Sequence, residues 1–291
     1  MKGRYENSSV FVKLLQWFGT MALLTAVALV IYRFLPNPQS VTSLKILQLL
    51  QTFSIFLLPP LIVAWLWSRQ PMEWLYLNRA VSWKTGALAV LLMVTALPAI
   101  NLIAYWNQQI VFPEALAPLE QFLKRMEETA AQLIEQFMQV NSPWGILGNL
   151  VLMALLPALS EELTFRGVLQ NLLAKRGTAV AVWVTAFIFS AIHLQFYGFL
   201  PRLLMGALFG YALLWSKSLW LPVLMHFTNN AMVTCAYCVA NRYGLDIKTV
   251  DNLGTGATLW LGILSLLLTI VWIYLLFHHL RRTTDNPTCK E

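Results

Sequence analysis

Long apolar segments alternate with short polar ones along most of the chain. Eight of these segments are near the length of about 20 residues that an α-helix needs to cross the hydrocarbon core of a bilayer. They run roughly over 11–32, 44–67, 85–106, 143 to beyond 162, 178–197, 200–216, 219–239 and 256–279. The pattern predicts an all-α fold, a polytopic membrane helix bundle of about eight transmembrane helices.

A polar stretch, residues 107–142, separates the third and fourth apolar segments and has a different periodicity. Its apolar residues recur at steps of three and four, which predicts an amphipathic helix. These residues are Leu116, Leu119, Leu123, Met126, Ala130, Leu133, Phe137 and Met138. The stretch holds five of the thirteen acidic residues, which argues against binding to anionic lipid. We interpret it as a connector packed across the mouth of the bundle, with a lid and a partner-binding helix as alternatives.

The composition agrees with a membrane protein. Hydrophobic residues make up 58% of the 291 residues and charged residues only 11%, whereas soluble domains carry about 25% charged residues. The formal net charge of +7 fits basic loops between membrane helices. No basic stripe stands out, so nucleic acid is not expected as a partner; the lipid bilayer is.

Lysine and arginine favour cytoplasmic loops, so their distribution predicts the orientation. With the N-terminus inside, twelve of them fall on the inner side and seven on the outer side. The seven include Arg202, which we count with the outer loop at the start of the sixth apolar segment. The bias predicts that both termini are cytoplasmic.

Polar residues interrupt three of the apolar segments, where charge is rare and usually marks a functional site. They occur in "EELTFR" (161–166), in "FIFSAIHL" with His193, and in "LMHFTNN" with His226 and Asn230. At 1.5 Å per helical residue, Glu161 and His193 lie about 22 Å from the same membrane face, and His226 and Asn230 about 12 and 18 Å from it. The three segments can therefore present these groups to one small volume.

Spacing within the fourth segment separates two adjacent glutamates. Glu162 and Arg166 are four residues apart, so they share a helix face and are predicted to form an ion pair. Glu161 points about 100° away from that face, so it is not part of this ion pair and is available for another role. The pair is expected to be structural whatever the function is.

The remaining groups form a credible hydrolytic set. Glu161 and His193 could hold and deprotonate a water molecule, while His226 and Asn230, also four apart, could donate hydrogen bonds to a developing oxyanion. Taken singly, each residue could instead make an interhelical hydrogen bond. Their common depth favours a site.

Three motifs carry a family resemblance. Glu161 to Arg166 match E-E-x-x-x-R, Phe189 to His193 match F-x-x-x-H, and His226 to Asn230 match H-x-x-x-N. In this order, on separate membrane segments, they resemble the type II CAAX prenyl protease family and its bacterial relatives, the CPBP or ABI family.

The resemblance implies an intramembrane endopeptidase. It assigns Glu161 as general base, His193 as its partner, and His226 and Asn230 as oxyanion stabilisers. It also implies a division into residues 1–142, the N-terminal helices with the connector; 143–240, a protease-like core; and 241–291, the last helix and a cytoplasmic tail. We expect an integral protein of a bacterial inner membrane.

Substrate and cofactor leave alternatives open. Eukaryotic members of the family cut prenylated C-terminal peptides, whereas some bacterial members act in bacteriocin immunity or in partner regulation. The alternative to an enzyme is therefore a non-catalytic immunity or regulatory protein that binds a partner through the same polar core. We expect no cofactor, because the chain has no H-E-x-x-H motif. The alternative is a zinc ion held by Glu161, His193 and His226.

Overall fold

The computed structural model describes residues 2–140 and 142–285, and within these ranges the chain is helical and contains no strand. Counting a helix with π-helical turns as one, nine helices of ten residues or more are described. They are α1 (Val10–Arg33), α2 (Val41–Trp67), α3 (Trp83–Gln108), α4 (Ala117–Met138), α5 (Pro143–Arg176), α6 (Thr178–Ala191), α7 (Phe199–Ser216), α8 (Trp220–Tyr243) and α9 (Leu259–Asp285). The predicted all-α class is confirmed. The predicted cytoplasmic tail lies outside the described residues from 286 onward.

Helices stand at all eight predicted membrane positions, but only six of those described are both long and apolar enough to cross a bilayer. The six are α1, α2, α3, α5, α7 and α9. Helix α6 has 14 residues, and the polar side chains of α8 lower its mean hydropathy. The count of eight is therefore not confirmed, whereas the six apolar helices indicate an integral membrane protein.

Helix α5 is distorted at two places by π-helical turns, Leu150–Leu155 and Leu163–Gln170. Such turns are often found at functional sites. The second begins directly after Glu162. It meets a further π-helical turn of α2, Thr52–Leu57, where the Thr164 hydroxyl donates to the carbonyl of Phe56 at 2.9 Å. This contact fixes α5 against α2.

Helix α3 contains Pro98, which removes a backbone donor from the middle of the helix. The Ser265 hydroxyl of α9 enters the helix there, accepting from the Ala99 N–H at 3.0 Å and donating to the Thr95 carbonyl. In a regular helix the N–H of residue 99 would bond the carbonyl of residue 95. The serine therefore satisfies both groups and ties α9 to α3.

We expect Gly262→Ala to destabilise this part of the bundle. A Cβ at Gly262 would collide with the backbone carbonyl of Gly254 in the preceding loop, and backbone cannot move aside cheaply. Overpacking of this kind typically costs about 1–3 kcal/mol. Thermal unfolding of the purified protein measures the loss. Gly19→Ala in α1 is the matched control, because nothing lies within 4 Å of its added Cβ; equal melting temperatures for the two variants would contradict the clash.

The connector forms the predicted amphipathic helix, α4, which is fastened at its C-terminal end. The Phe137 carbonyl accepts from Lys45 Nζ of α2 at 3.0 Å and from Asn149 Nδ2 of α5 at 2.7 Å. The Met138 carbonyl accepts from Asn241 Nδ2 of α8 at 2.7 Å. Helix α4 is thus held by three membrane helices rather than standing free.

Candidate active site

Glu162 is the centre of a buried charge cluster. Its Oε1 accepts from Arg166 Nη1 at 2.8 Å and from His226 Nδ1 at 2.9 Å. The structure thus brings Glu162 and Arg166 together, as their spacing predicts. The contact with His226 joins α5 to α8 across 64 residues of chain, and the sequence gives no sign of it.

The Arg166 guanidinium is fully buried and lies between two aromatic rings. Its carbon is 4.7 Å from the centroid of Phe189 and 5.5 Å from that of Phe209, distances at which rings attract a cation. Its Nη2 donates to the carbonyl of Gly206 on α7 at 2.9 Å. A buried charge is tolerated when it is paired and hydrogen-bonded, and both conditions hold here.

Glu161, one residue earlier, faces a different environment. Its side chain is 17% exposed and lines a cavity of about 130 Å³, room for about four water molecules at their liquid volume of about 30 Å³. The residues around the cavity are Glu161, Phe189, His193, Arg202, Met205, Phe209, His226, Asn229 and Asn230. All four residues that the sequence assigns to catalysis therefore border one space.

His226 stands between the two glutamates. A carboxylate can only accept, so the ring donates its Nδ1–H to Glu162 and, when neutral, carries a lone pair on Nε2. That Nε2 lies 3.9 Å from Glu161 Oε2, too far for a direct hydrogen bond but suited to one water between them. Phe209 stacks on the ring with centroids 5.4 Å apart and holds its plane.

His193 lies in a turn rather than in a helix. The sequence predicts a segment running to residue 197, but α6 ends at Ala191 and Leu194 adopts the left-handed conformation, with φ of 54°. Such a conformation costs a non-glycine residue roughly 1–2 kcal/mol, and it ends the helix. His193 Nδ1 is 2.7 Å from the Phe189 carbonyl, which can only accept, so Nε2 is the ring nitrogen left for the cavity.

Asn230 reaches the cavity from α8, one turn beyond His226. Its Oδ1 accepts from Asn229 Nδ2 at 3.4 Å. The amide N–H groups of Asn230 are thereby left as neutral donors for a ligand in the cavity.

Arg202 is a cavity residue that the sequence pattern does not identify. The charge count assigns it to an outer loop, but it lies in the first turn of α7 and borders the cavity. Its Nη2 donates to Gln195 Oε1 at 2.7 Å and its Nη1 to the Gln195 carbonyl at 3.3 Å. The signal that identifies Glu161, a charge within an apolar segment, applies to Arg202 as well, because residue 202 lies inside the segment predicted at 200–216.

Helix α4 contacts the turn that carries His193. Glu127 accepts from the backbone N–H of Tyr197 at 3.3 Å, and the Tyr197 hydroxyl donates to Glu120 at 3.4 Å. Partial burial raises the pKa of the Glu127 carboxyl, while the Tyr197 N–H and the charge of Arg202 act in the opposite direction. The connector therefore lies against the rim of the cavity.

The predicted zinc alternative does not fit these positions. Among the described residues, no three His, Cys, Asp or Glu side chains are grouped closely enough to hold a metal ion. Glu161, His193 and His226 border the same cavity but do not form a three-ligand set. A metal-free mechanism remains a prediction, which a chelator tests below.

Comparison with known proteins covers the part of the chain that builds this site. Residues 143–232 match the family model described as Type II CAAX prenyl endopeptidase Rce1-like. This segment is Rce1-like. It contains all three motifs that carry the resemblance.

A curated bacterial protein is also similar. Over 91 residues the chain is 30% identical to Uncharacterized protein YpbD of Bacillus subtilis (strain 168). The match covers 30% of this chain and 44% of YpbD, less than half of that relative's length. No solved structure matches the chain.

Proposed function

We propose that this protein is an intramembrane endopeptidase in which Glu161 activates the attacking water. The observation that carries the proposal is the position of Glu161 Oε2, 3.9 Å from His226 Nε2 on the wall of a cavity that His193 and Asn230 complete. A water held between these two atoms is within hydrogen-bond reach of a carboxylate that can take its proton.

The buried cluster gives His226 its role in this mechanism. Glu162 accepts the Nδ1–H, which fixes the ring and directs the Nε2 lone pair toward the water. The expected role of His226 as an oxyanion donor is revised, since a neutral ring bonded in this way has no second N–H to give. His226 therefore orients the nucleophile together with Glu161.

Asn230 supplies the neutral donor for the oxyanion. When water attacks a peptide carbonyl, negative charge develops on the carbonyl oxygen, and donors already fixed in place stabilise it without reorganisation. The Asn230 amide is on the helix that carries His226, one turn away, so α8 supplies both the ring that orients the water and the donor for the oxyanion.

The cavity accommodates little more than the reacting peptide group, so the rest of a substrate lies outside it. The six apolar helices support a substrate at a lipid bilayer. We propose a membrane-associated C-terminal peptide, prenylated or otherwise anchored, as the substrate class.

Purified protein in liposomes tests the proposal. Farnesylated peptides and the same sequences with an acyl anchor or with no anchor are incubated with it, and the products are identified by mass spectrometry. We expect cleavage of anchored peptides at a single bond. A preparation that binds such peptides but cleaves none of them would contradict the proposal and favour the non-catalytic alternative.

Peptidase activity should survive removal of metal. We expect full activity after exhaustive dialysis against a strong chelator, because the proposed base is a carboxylate and no three-ligand set is grouped among the described residues of the site. The measurement is kcat before and after dialysis. Activity lost on dialysis and restored by stoichiometric zinc would overturn the metal-free mechanism and make Glu161, His193 and His226 ligands.

A further inference from the structure

Arg202 is a charged group in the cavity that the proposed mechanism leaves unused. It is half-buried in α7 and borders the cavity with Glu161 and Asn230. No ion pair within 4.0 Å joins its guanidinium to a carboxylate of the described residues. Both of its hydrogen-bond acceptors belong to Gln195 and are neutral.

This arrangement is costly without a ligand. A guanidinium withdrawn from water loses solvation that only a negative partner repays well. Gln195 fixes the direction of the side chain but supplies no charge. Arg166, by contrast, is deeper in the bundle and has its own carboxylate at 2.8 Å. The cavity therefore has a cation with a contacting carboxylate, Arg166, behind its wall. On the wall it has Arg202, which feels the charges of Glu127 and Glu161 but, among the residues described, contacts no carboxylate within 4.0 Å.

We propose that Arg202 is a catalytic residue that binds the oxyanion formed during peptide hydrolysis, beside Asn230. This inference rests on the proposed function. Glu161 removes a proton from water, the water oxygen bonds to the carbonyl carbon, and the C=O π electrons move onto the oxygen, which Arg202 and Asn230 hold. The oxyanion then re-forms the C=O bond as the C–N bond breaks, the proton on Glu161 passes to the leaving nitrogen, and one water has been consumed.

The revised role of His226 strengthens the assignment. A neutral His226 that gives its Nδ1–H to Glu162 has no second N–H for the oxyanion site. Asn230 alone would leave a single neutral donor, whereas charge-assisted hydrogen bonds are about twice as strong as neutral ones. Arg202 supplies that charge.

Position, rather than size, favours the oxyanion over another anionic group. Arg202 borders the cavity together with Glu161 and Asn230, so a carbonyl that reacts at Glu161 lies near its guanidinium. A terminal carboxylate of the substrate is the competing ligand, and peptides with an amidated C-terminus distinguish the two.

Kinetics of Arg202→Gln and Arg202→Lys test the proposal in liposomes. We expect kcat for Arg202→Gln to fall about 10²–10³-fold, the usual loss of an oxyanion donor, with KM nearly unchanged. Arg202→Lys should lie between this variant and the wild type, because it keeps the charge but loses the planar fork. Arg125→Gln, which alters an exposed arginine of α4, should match the wild type.

Chemical rescue separates catalysis from structure. Guanidinium ion added to Arg202→Ala should restore part of kcat, an effect that a merely structural role would not give. Wild-type kcat in folded Arg202→Gln would overturn the proposal. So would a loss confined to KM that appears for peptides with a free C-terminal carboxylate and not for their amides. If Arg202→Gln does not fold, wild-type kcat in Arg202→Lys overturns it equally.

The two proposals fail differently. A wild-type protein that cleaves no anchored peptide would overturn the proposed function and this inference together. A wild-type protein that cleaves peptides while its Arg202 variants keep full kcat would overturn this inference alone.

Discussion

Glu161→Gln should lower kcat by about 10²–10⁴-fold, the range that a positioned general base contributes, and leave KM close to the wild-type value. The amide has the shape of the carboxylate but cannot take a proton from water. Because Glu161 is on the cavity wall and 3.9 Å from His226 Nε2, beyond a direct hydrogen bond, its loss should not unfold the protein. Steady-state kinetics with an anchored peptide and a thermal melt measure both expectations.

Two further variants, a control and a comparison, show how specific the loss of kcat is to Glu161. Glu128→Gln removes an exposed carboxylate of α4 and should leave kcat unchanged. Asn230→Ala should retain measurable activity, since removal of one oxyanion donor typically costs about 10²–10³-fold. Wild-type kcat in folded Glu161→Gln would refute its role as base.

Glu162→Gln should destabilise the protein more than any other single change at the site. The charge that it removes is shared by Arg166 and His226, and the side chains of Glu162 and Arg166 are both fully buried. Breaking a buried pair by removing one partner typically costs about 3–5 kcal/mol, because the other charge is left uncompensated. Denaturant or thermal unfolding in detergent measures the loss.

The double variant Glu162→Gln/Arg166→Met separates the charge effect from packing. Arg166→Met removes the buried charge that Glu162→Gln leaves uncompensated, so much of the lost stability should return. Activity should stay low, because the carboxylate that holds His226 is absent. Glu120→Gln is the control, because it breaks a partly exposed pair with Lys124 of the same four-residue spacing; the long hydrogen bond from Tyr197 can still be accepted by the amide oxygen. Surface pairs of this kind contribute little. Equal melting temperatures for Glu162→Gln and Glu120→Gln would contradict the buried-pair account.

The sequence predicts which residues belong to the site better than it predicts the hydrogen bonds between them. Charge is so costly in an apolar segment that Glu161, His193 and His226 stand out, and spacing of four residues is enough to pair Glu162 with Arg166. Contacts between helices carry no comparable signal. The hydrogen bond from His226 to Glu162 depends on how α8 packs against α5, and with it the tautomer of His226.

Errors in the predicted segment boundaries account for other differences between the sequence prediction and the structure. The apolar run of the fifth segment continues past the end of α6, because hydropathy does not register the left-handed turn at Leu194 that ends the helix. Arg202 is counted with a loop because it lies close to the predicted start of the sixth segment, where the boundary between loop and helix is not sharply defined by hydropathy. The π-helical turns of α5, including Leu163–Gln170 beside Glu162, have no pattern in the sequence that predicts them.

The central claim is that Glu161 makes this protein a peptidase, and a comparison of membrane peptides tests it even while the substrate is unidentified. Cells that express the wild type and cells that express Glu161→Ala at equal levels are compared by proteomics of membrane-associated C-terminal peptides. We predict that a small set of peptides is shortened only in wild-type cells. Identical peptide termini in the two strains, with both proteins folded in the membrane, would contradict the claim.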